Sequence, residues 1–143
     1  MAASKKIIVG VDGSEGSRQA LNWAISEAKL RECAIEIVHV WNFIAPMDPI
    51  GGFILIPDKD LQQSAQLVVT NMLNSVSETA SSIEISTHVQ RGSASQILMD
   101  RAKTAELLVV GRRGHGGFIG LLIGSTAAQV SHHAQCPVVI VPV

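Results

Sequence analysis

Short apolar runs rich in β-branched residues recur along the chain, and a pattern with helical spacing follows every run except the last. The first, fourth and fifth runs do not alternate with polar residues, which is typical of strands covered on both faces. The second run does alternate, which predicts a strand nearer a sheet edge or with a partly solvated face. The predicted strands span residues 5–11, 34–41, 83–89, 107–110 and 137–143, and the predicted helices span residues 16–31, 61–76, 97–102 and 126–134. This order predicts a single α/β domain, residues 1–143, with a doubly wound sheet and helices on both faces.

Glycine is concentrated in residues 111–126, between the fourth predicted strand and the fourth predicted helix. This density favours backbone that takes positive φ or lies very close to another group. A strand, a glycine-rich loop and a helix N-terminus together present amide donors and the positive end of a helix dipole, so phosphate is the favoured ligand. The alternative is a mobile loop whose helix is capped by Thr126 and Gln129. The P-loop and dinucleotide fingerprints are both absent from this segment.

The turn at Asp12, after the first predicted strand, is the second candidate site. In doubly wound sheets, ligands bind beyond the carboxyl ends of strands where the strand order reverses. Asp12 and Gly111 both follow such ends, so they meet if the first and fourth strands are neighbours. The Asp12 carboxylate could accept hydrogen bonds from ribose or hold a divalent cation, or it could cap the first helix. Arg112 and Arg113 could offset phosphate charge, with a solvated surface role as the alternative. His115 of the same loop could contact phosphate, with simple exposure as the alternative.

The composition argues against several other functions. Hydrophobic residues make up 47% of the chain, the net charge is −1 and there is no basic run, which disfavours nucleic acid and acidic membrane surfaces as partners. No apolar run reaches the length of a membrane span and the N-terminal residues do not resemble a signal peptide, so we expect a soluble, cytoplasmic protein. His132, His133 and Cys136 lack a further ligand that would complete a zinc site.

Residues 42–60 form the long connection after the second predicted strand. They contain three of the five prolines and the pair Gly51-Gly52, which predicts an irregular segment that folds over a site or contacts a partner. The segment also contains several large apolar residues, which argues against simple disorder.

These motifs resemble the universal stress protein family, of the single-domain, ATP-binding type. The family motif G-x2-G-x9-G-[ST] matches Gly111, Gly114, Gly124 and Ser125. The resemblance also covers the opening I-I-V-G-V-D-G-S, the V-Q-R-G-S turn and the closing C-P-V-V-I-V-P-V, and so extends over essentially the whole chain. It implies an adenine-nucleotide α-hydrolase-like fold with strand order 3-2-1-4-5.

The resemblance also implies roles for individual residues. Asp12 and the backbone near Gly10 and Val11 would meet adenine and ribose, and Val40 would wall the adenine. The residues that would border or hold the phosphates are Val110, Gly111, Gly114, Gly124, Ser125 and Thr126. Arg112 of the same loop joins them for its charge, and the oxygens of Asp12 and Ser125 make these two residues candidate contacts to Mg²⁺. No catalytic residue is identified.

The function that the resemblance implies is that of a dimeric module in stress response or signalling, which binds ATP, possibly with Mg²⁺. Two alternatives remain: a slow ATPase that uses the same pocket, and a protein that binds AMP or a cyclic nucleotide. The expected homodimer pairs the last strand, Val138 to Val141, across a two-fold axis, which would also cover an apolar edge.

Overall fold

The computed structural model describes residues 5–42, 49–52, 56–114 and 123–142. Within these ranges, strands and helices alternate as the sequence predicts. They are β1 (Lys6–Gly10), α1 (Glu15–Arg31), β2 (Ala34–Trp41), α2 (Asp58–Val76), β3 (Ile85–Arg91), α3 (Ala94–Arg101), β4 (Leu107–Gly111), α4 (Ser125–His133) and β5 (Val138–Val141).

All neighbouring strands pair in parallel, in the order β3-β2-β1-β4-β5. This confirms the predicted doubly wound sheet and its strand order. Because successive side chains of a strand point to opposite faces, Ile7 and Val9 of β1 belong to one apolar cluster and Ile8 to another. The first cluster includes the buried faces of α1 and α2, and the second includes those of α3 and α4. The helices therefore cover both faces of the sheet in pairs.

The connection after β2 is shorter than predicted, because α2 begins at Asp58 within the segment assigned to it. Asp58 and Asp60 lie in the first turn of α2, where carboxylates interact favourably with the helix dipole. Residues 43–48 and 53–55 of this connection lie outside the described part of the chain. The prediction that the segment folds over a site or contacts a partner concerns these residues. None of the helices that the structure describes combines the length and apolar character needed to cross a membrane.

β2 lies next to the edge strand β3, as one alternative of the prediction has it, but the predicted partly solvated face is wrong. β2 lies between β1 and β3, and the polar residues that produce its alternation, Glu36 and His39, are only 3% and 7% exposed. Alternation predicts solvation only if the polar side chains lack partners inside the protein. Here Glu36 accepts hydrogen bonds from Lys6 Nζ at 3.0 Å and Arg101 Nε at 2.7 Å, so its buried charge is compensated.

Glu36 thus links the start of β1 to the end of α3 through β2. Burial alone would raise the pKa of the Glu36 carboxyl, but the hydrogen bonds from Arg101 and Lys6 outweigh burial and leave its pKa below the usual value. A carboxyl whose pKa is lower in the folded state stabilises the fold above its unfolded pKa, about 4.3 for Glu. That stabilisation is lost as the pH falls from this value through the lower, folded pKa.

Replacing Glu36 by Gln should therefore lower the free energy of unfolding near neutral pH by about 1–3 kcal/mol. The difference from the wild type should shrink as the pH falls below about 4.3, because the wild-type carboxyl then becomes neutral as well. Urea unfolding over a series of pH values measures both effects. The control is Glu78→Gln, which changes an exposed carboxyl. A Glu36→Gln deficit that stays constant across the pH range would contradict this account of the ion pairs.

Candidate functional site

A cavity lies at the carboxyl ends of β1 and β4, where the strand order reverses. The residues singled out from the sequence all line this cavity: Gly10, Val11, Asp12, Val40, Val110, Gly111, Arg112, Gly114, Gly124, Ser125 and Thr126. They come from three strand ends and from the N-terminus of α4, which are far apart in the sequence. The parallel pairing of β1 with β4 brings them together.

Several residues that the sequence analysis missed also line the cavity, namely Ser14, Ser17, Val38, Ala94, Leu98 and Ala127. Val38 could have been found, because it lies two residues before Val40 and so shares its face of β2. Leu98 could not, because no local pattern shows which helix covers the strand ends. Gly10 allows Leu98 to come close, since a Cβ at Gly10 would lie 2.9 Å from the Leu98 side chain.

Asp12 lies in the turn between β1 and α1, but it does not cap the helix. The N-cap is Ser14, whose Oγ accepts a hydrogen bond from the Ser17 amide at 3.2 Å. Asp12 Oδ1 instead accepts from the Ser14 amide at 2.9 Å, a local turn that Asp side chains commonly form. The helix-cap alternative for Asp12 is therefore wrong, and its half-buried carboxylate lines the cavity.

The two ends of the glycine-rich segment meet at the backbone of Arg112. The Gly124 amide donates a hydrogen bond to the Arg112 carbonyl at 2.6 Å, while the Arg112 amide donates to the Val141 carbonyl at 2.9 Å. The segment therefore leaves the sheet beside β5 and returns to almost the same point. Residues 115–122 lie outside the described ranges, and His115, a candidate phosphate contact, is among them.

The described glycines of this segment serve close approach rather than positive φ. A Cβ at Gly114 would overlap the carboxylate of Asp12. A Cβ at Gly111 would lie 2.9 Å from backbone atoms of Gly16, so only glycine lets α1 pack this closely on the end of β4. Of the two explanations that the sequence left open, tight packing is correct at these positions.

Helix α4 begins at Ser125 and has Gly124 as its N-cap. No side chain of the described chain caps it, so the predicted capping box of Thr126 and Gln129 is wrong. The helix begins two residues earlier than that box requires. Because the first amides of a helix have no partner within the helix, the N-terminus of α4 presents hydrogen-bond donors and positive dipole charge beside the cavity.

The cavity combines apolar and charged surfaces. Its apolar wall consists of Val38, Val40, Leu98 and Val110. Its charged lining residues in the described part of the chain are one acid, Asp12, and two bases, Arg112 and Arg113. Among described residues, no group of three potential metal-ligating side chains is found.

Residues 3–142 match the sequence profile of the universal stress protein family. The chain belongs to this family. A universal stress protein of Mycolicibacterium smegmatis is 30% identical over 135 residues, which are 94% of this chain and 45% of that protein. The chain thus spans less than half the length of this relative.

Solved structures of universal stress proteins share the fold. The protein from Lactobacillus plantarum aligns with a TM-score of 0.75 over 99% of both chains, at 21% identity. A family member in complex with cAMP aligns with a TM-score of 0.69 over 98% of both chains, at 23% identity. The Archaeoglobus fulgidus protein in complex with dAMP also reaches 0.69 over 98% of both chains, at 21% identity.

Gly111→Ala should lower the free energy of unfolding by about 1–3 kcal/mol, because the added methyl group meets the backbone of Gly16, which cannot move without separating α1 from β4. Urea unfolding measures the loss. Gly124→Ala is the matched control, since its nearest neighbours would be 3.3 Å away and its loss should be smaller. Equal stability of Gly111→Ala and the wild type would show that α1 does not pack on β4 as described.

Proposed function

We propose that this universal stress protein binds an adenine nucleotide in the cavity between β1, β4 and α4, with ATP as the favoured ligand. The observation that carries the proposal is the convergence of three surfaces on one cavity: an apolar wall, a carboxylate and a helix N-terminus with a glycine-rich approach. These surfaces match the three chemically distinct parts of a nucleotide.

The base would lie against the apolar wall. Val38, Leu98 and Val110 are nearly inaccessible to solvent, at 1%, 3% and 4% exposed, and so present a dry surface. A planar, weakly polar ring such as adenine gains free energy by leaving water for such a surface. The Asp12 carboxylate at the end of β1 would accept hydrogen bonds from the ribose hydroxyls, as an acidic residue does in dinucleotide-binding sheets.

The phosphates would lie at the N-terminus of α4. The amides of Ser125 and Thr126 and their hydroxyls supply donors, and the helix dipole favours negative charge there. Gly114 and Gly124 keep Cβ atoms away from this approach. Arg112 and Arg113 add positive charge at the same edge of the cavity.

Mg²⁺ fits this arrangement if it accompanies the phosphates. It prefers oxygen ligands and usually binds through one or two protein oxygens together with phosphate oxygens and water. Asp12 and Ser125 both line the cavity and would each supply an oxygen, so most of the ligands would come from phosphate and water. The bound ion would neutralise phosphate charge.

A nucleoside monophosphate is the second candidate ligand. The family members that resemble this chain in fold include complexes with cAMP and dAMP. Contacts to base and ribose are the same for all adenine nucleotides, and the number of phosphates is selected only at the α4 end of the cavity. The choice between ATP and a monophosphate therefore depends on Ser125, Thr126 and the glycine-rich segment.

The proposal is tested by titrating ATP, AMP and cAMP into protein stripped of bound nucleotide, using calorimetry. We expect ATP to bind, and Ser125→Ala to weaken ATP binding about three- to tenfold through the loss of a hydroxyl donor to phosphate. Ser131→Ala is the matched control, because it removes the same group from α4 outside the cavity lining. No binding of any adenine nucleotide would refute the proposed function, and equal effects of both variants would refute the assigned phosphate position.

The proposed module is a homodimer that acts in stress response or signalling, and β5 is its expected interface. β5 is an outer strand of the sheet, and its residues, Val138–Val141, are all apolar and only partly buried. The Pro137 carbonyl accepts a hydrogen bond from Leu108 of β4, and the Val141 carbonyl accepts one from Arg112, just beyond β4. In a parallel ladder the bonded residues alternate. The backbone groups of Val138 and Ile140 therefore face away from β4, where a second β5 strand could pair with them.

Ile140→Pro should convert the dimer to monomers, because it removes an outward amide while leaving the inward ladder to β4 intact. Sedimentation velocity of wild type and variant at equal concentration measures the change. Ile140→Val, which keeps the amide and the apolar surface, should remain dimeric. A variant Ile140→Pro that stays dimeric would place the interface elsewhere, and a monomeric wild type would refute the dimer.

A further inference from the structure

His39 holds the chain just beyond the end of β1. Its Nδ1 lies 2.8 Å from the carbonyl oxygen of Val11, and its side chain is buried. Because a carbonyl oxygen can only accept a hydrogen bond, Nδ1 carries the proton and donates it. The Val11 amide donates to the Val38 carbonyl at 2.9 Å, so β2 holds both the amide and the carbonyl group of Val11.

Ser17 holds the other side of the same peptide bond. Its Oγ accepts a hydrogen bond from the Asp12 amide at 3.3 Å and donates to the Ser14 carbonyl at 3.0 Å. Ser17 lies in the first turn of α1 and is 4% exposed. The Val11–Asp12 peptide is therefore held at its C=O by a side chain from β2 and at its N–H by a side chain from α1.

The buried polar side chains among the described residues are Ser17, Glu36 and His39. Two of these three bind the Val11–Asp12 peptide. Glu36 is compensated by two cations, and the other two bind a single peptide group. A buried polar side chain costs free energy unless it is hydrogen-bonded. Their presence points to a need to fix this peptide.

We propose that His39 and Ser17 are positioning residues of the nucleotide site, which orient the Val11–Asp12 peptide and thereby aim the Asp12 carboxylate into the cavity. This inference rests on the proposed nucleotide binding. Loss of the hydrogen bonds to this peptide would let the backbone at Asp12 shift, and with it the carboxylate, which packs directly against Gly114. The effect of His39 and Ser17 on a nucleotide therefore passes through Asp12.

The tautomer of His39 tests the geometry without any nucleotide. Long-range ¹H–¹⁵N spectra of the nucleotide-free protein above neutral pH should show a proton on Nδ1 of His39 and none on Nε2. A proton on Nε2 alone would overturn the proposal, because Nδ1 would then be unable to donate to Val11.

Calorimetric binding of ATP tests the positioning role. His39→Leu should weaken ATP binding about fivefold, whereas His39→Asn, whose Nδ2 can replace Nδ1 as a donor, should restore most of the affinity. In an Asp12→Asn background, His39→Leu should have less than about a twofold effect, because the carboxylate that it positions is gone. If the role of His39 is merely structural, His39→Leu should lower the stability of the protein and should have the same effect on ATP binding in the wild-type and Asp12→Asn backgrounds. An undiminished fivefold loss in the Asp12→Asn background would overturn the proposal.

If His39→Leu does not fold, Ser17→Ala and Ser17→Thr provide an independent pair of variants for the same comparison of ATP binding in the wild-type and Asp12→Asn backgrounds. Ser17→Ala should behave like His39→Leu, and Ser17→Thr, which keeps the hydroxyl, should behave like the wild type. If the wild-type protein binds ATP and neither His39→Leu nor Ser17→Ala changes the affinity, the positioning role alone is overturned. Wild-type protein that binds no adenine nucleotide would overturn the proposed function and this inference together.

Discussion

The parallel pairing of β1 with β4 is the contact on which the candidate site depends. It sets Ile7 opposite Leu107 and Val9 opposite Val109, so the two strands end at the same edge of the sheet. The strand order reverses here, because β2 extends the sheet on one side of β1 and β4 extends it on the other. The chain segments that follow β1 and β4 must therefore leave the sheet side by side, which creates a crevice and brings Asp12 against Gly114.

The margins of the crevice are closely packed. Gly111 lets the first turn of α1 approach the end of β4, and Gly124 returns the chain to Arg112. Larger residues would force these segments apart or fill the space between them. The described glycines of this segment thus allow the close packing around the cavity.

Buried polar groups are used sparingly and in specific places. The ion pairs of Glu36 lie at the start of β1, where they join β1, β2 and α3. His39 and Ser17 lie at the opposite end of β1, where they hold the peptide that precedes the Asp12 side chain. One end of the sheet is thereby stabilised by charge pairs and the other has a fixed backbone, which is the arrangement expected of a scaffold that presents a preorganised site.

The sequence by itself determined the order of the elements and the doubly wound architecture, because hydrophobic periodicity and turn chemistry are local properties. The resemblance to the universal stress protein family indicated many, but not all, of the residues around the cavity. Only the tertiary structure decided that Ser14 rather than Asp12 caps α1, that the polar residues of β2 are buried, and that Leu98 of α3 completes the apolar wall. The last two depend on contacts between distant parts of the chain, such as the bond of Glu36 to Arg101, 65 residues away, and that of His39 to Val11, 28 residues away. A local pattern shows that a side chain is polar, but whether that side chain meets water or a buried partner is decided by the packing of the whole chain.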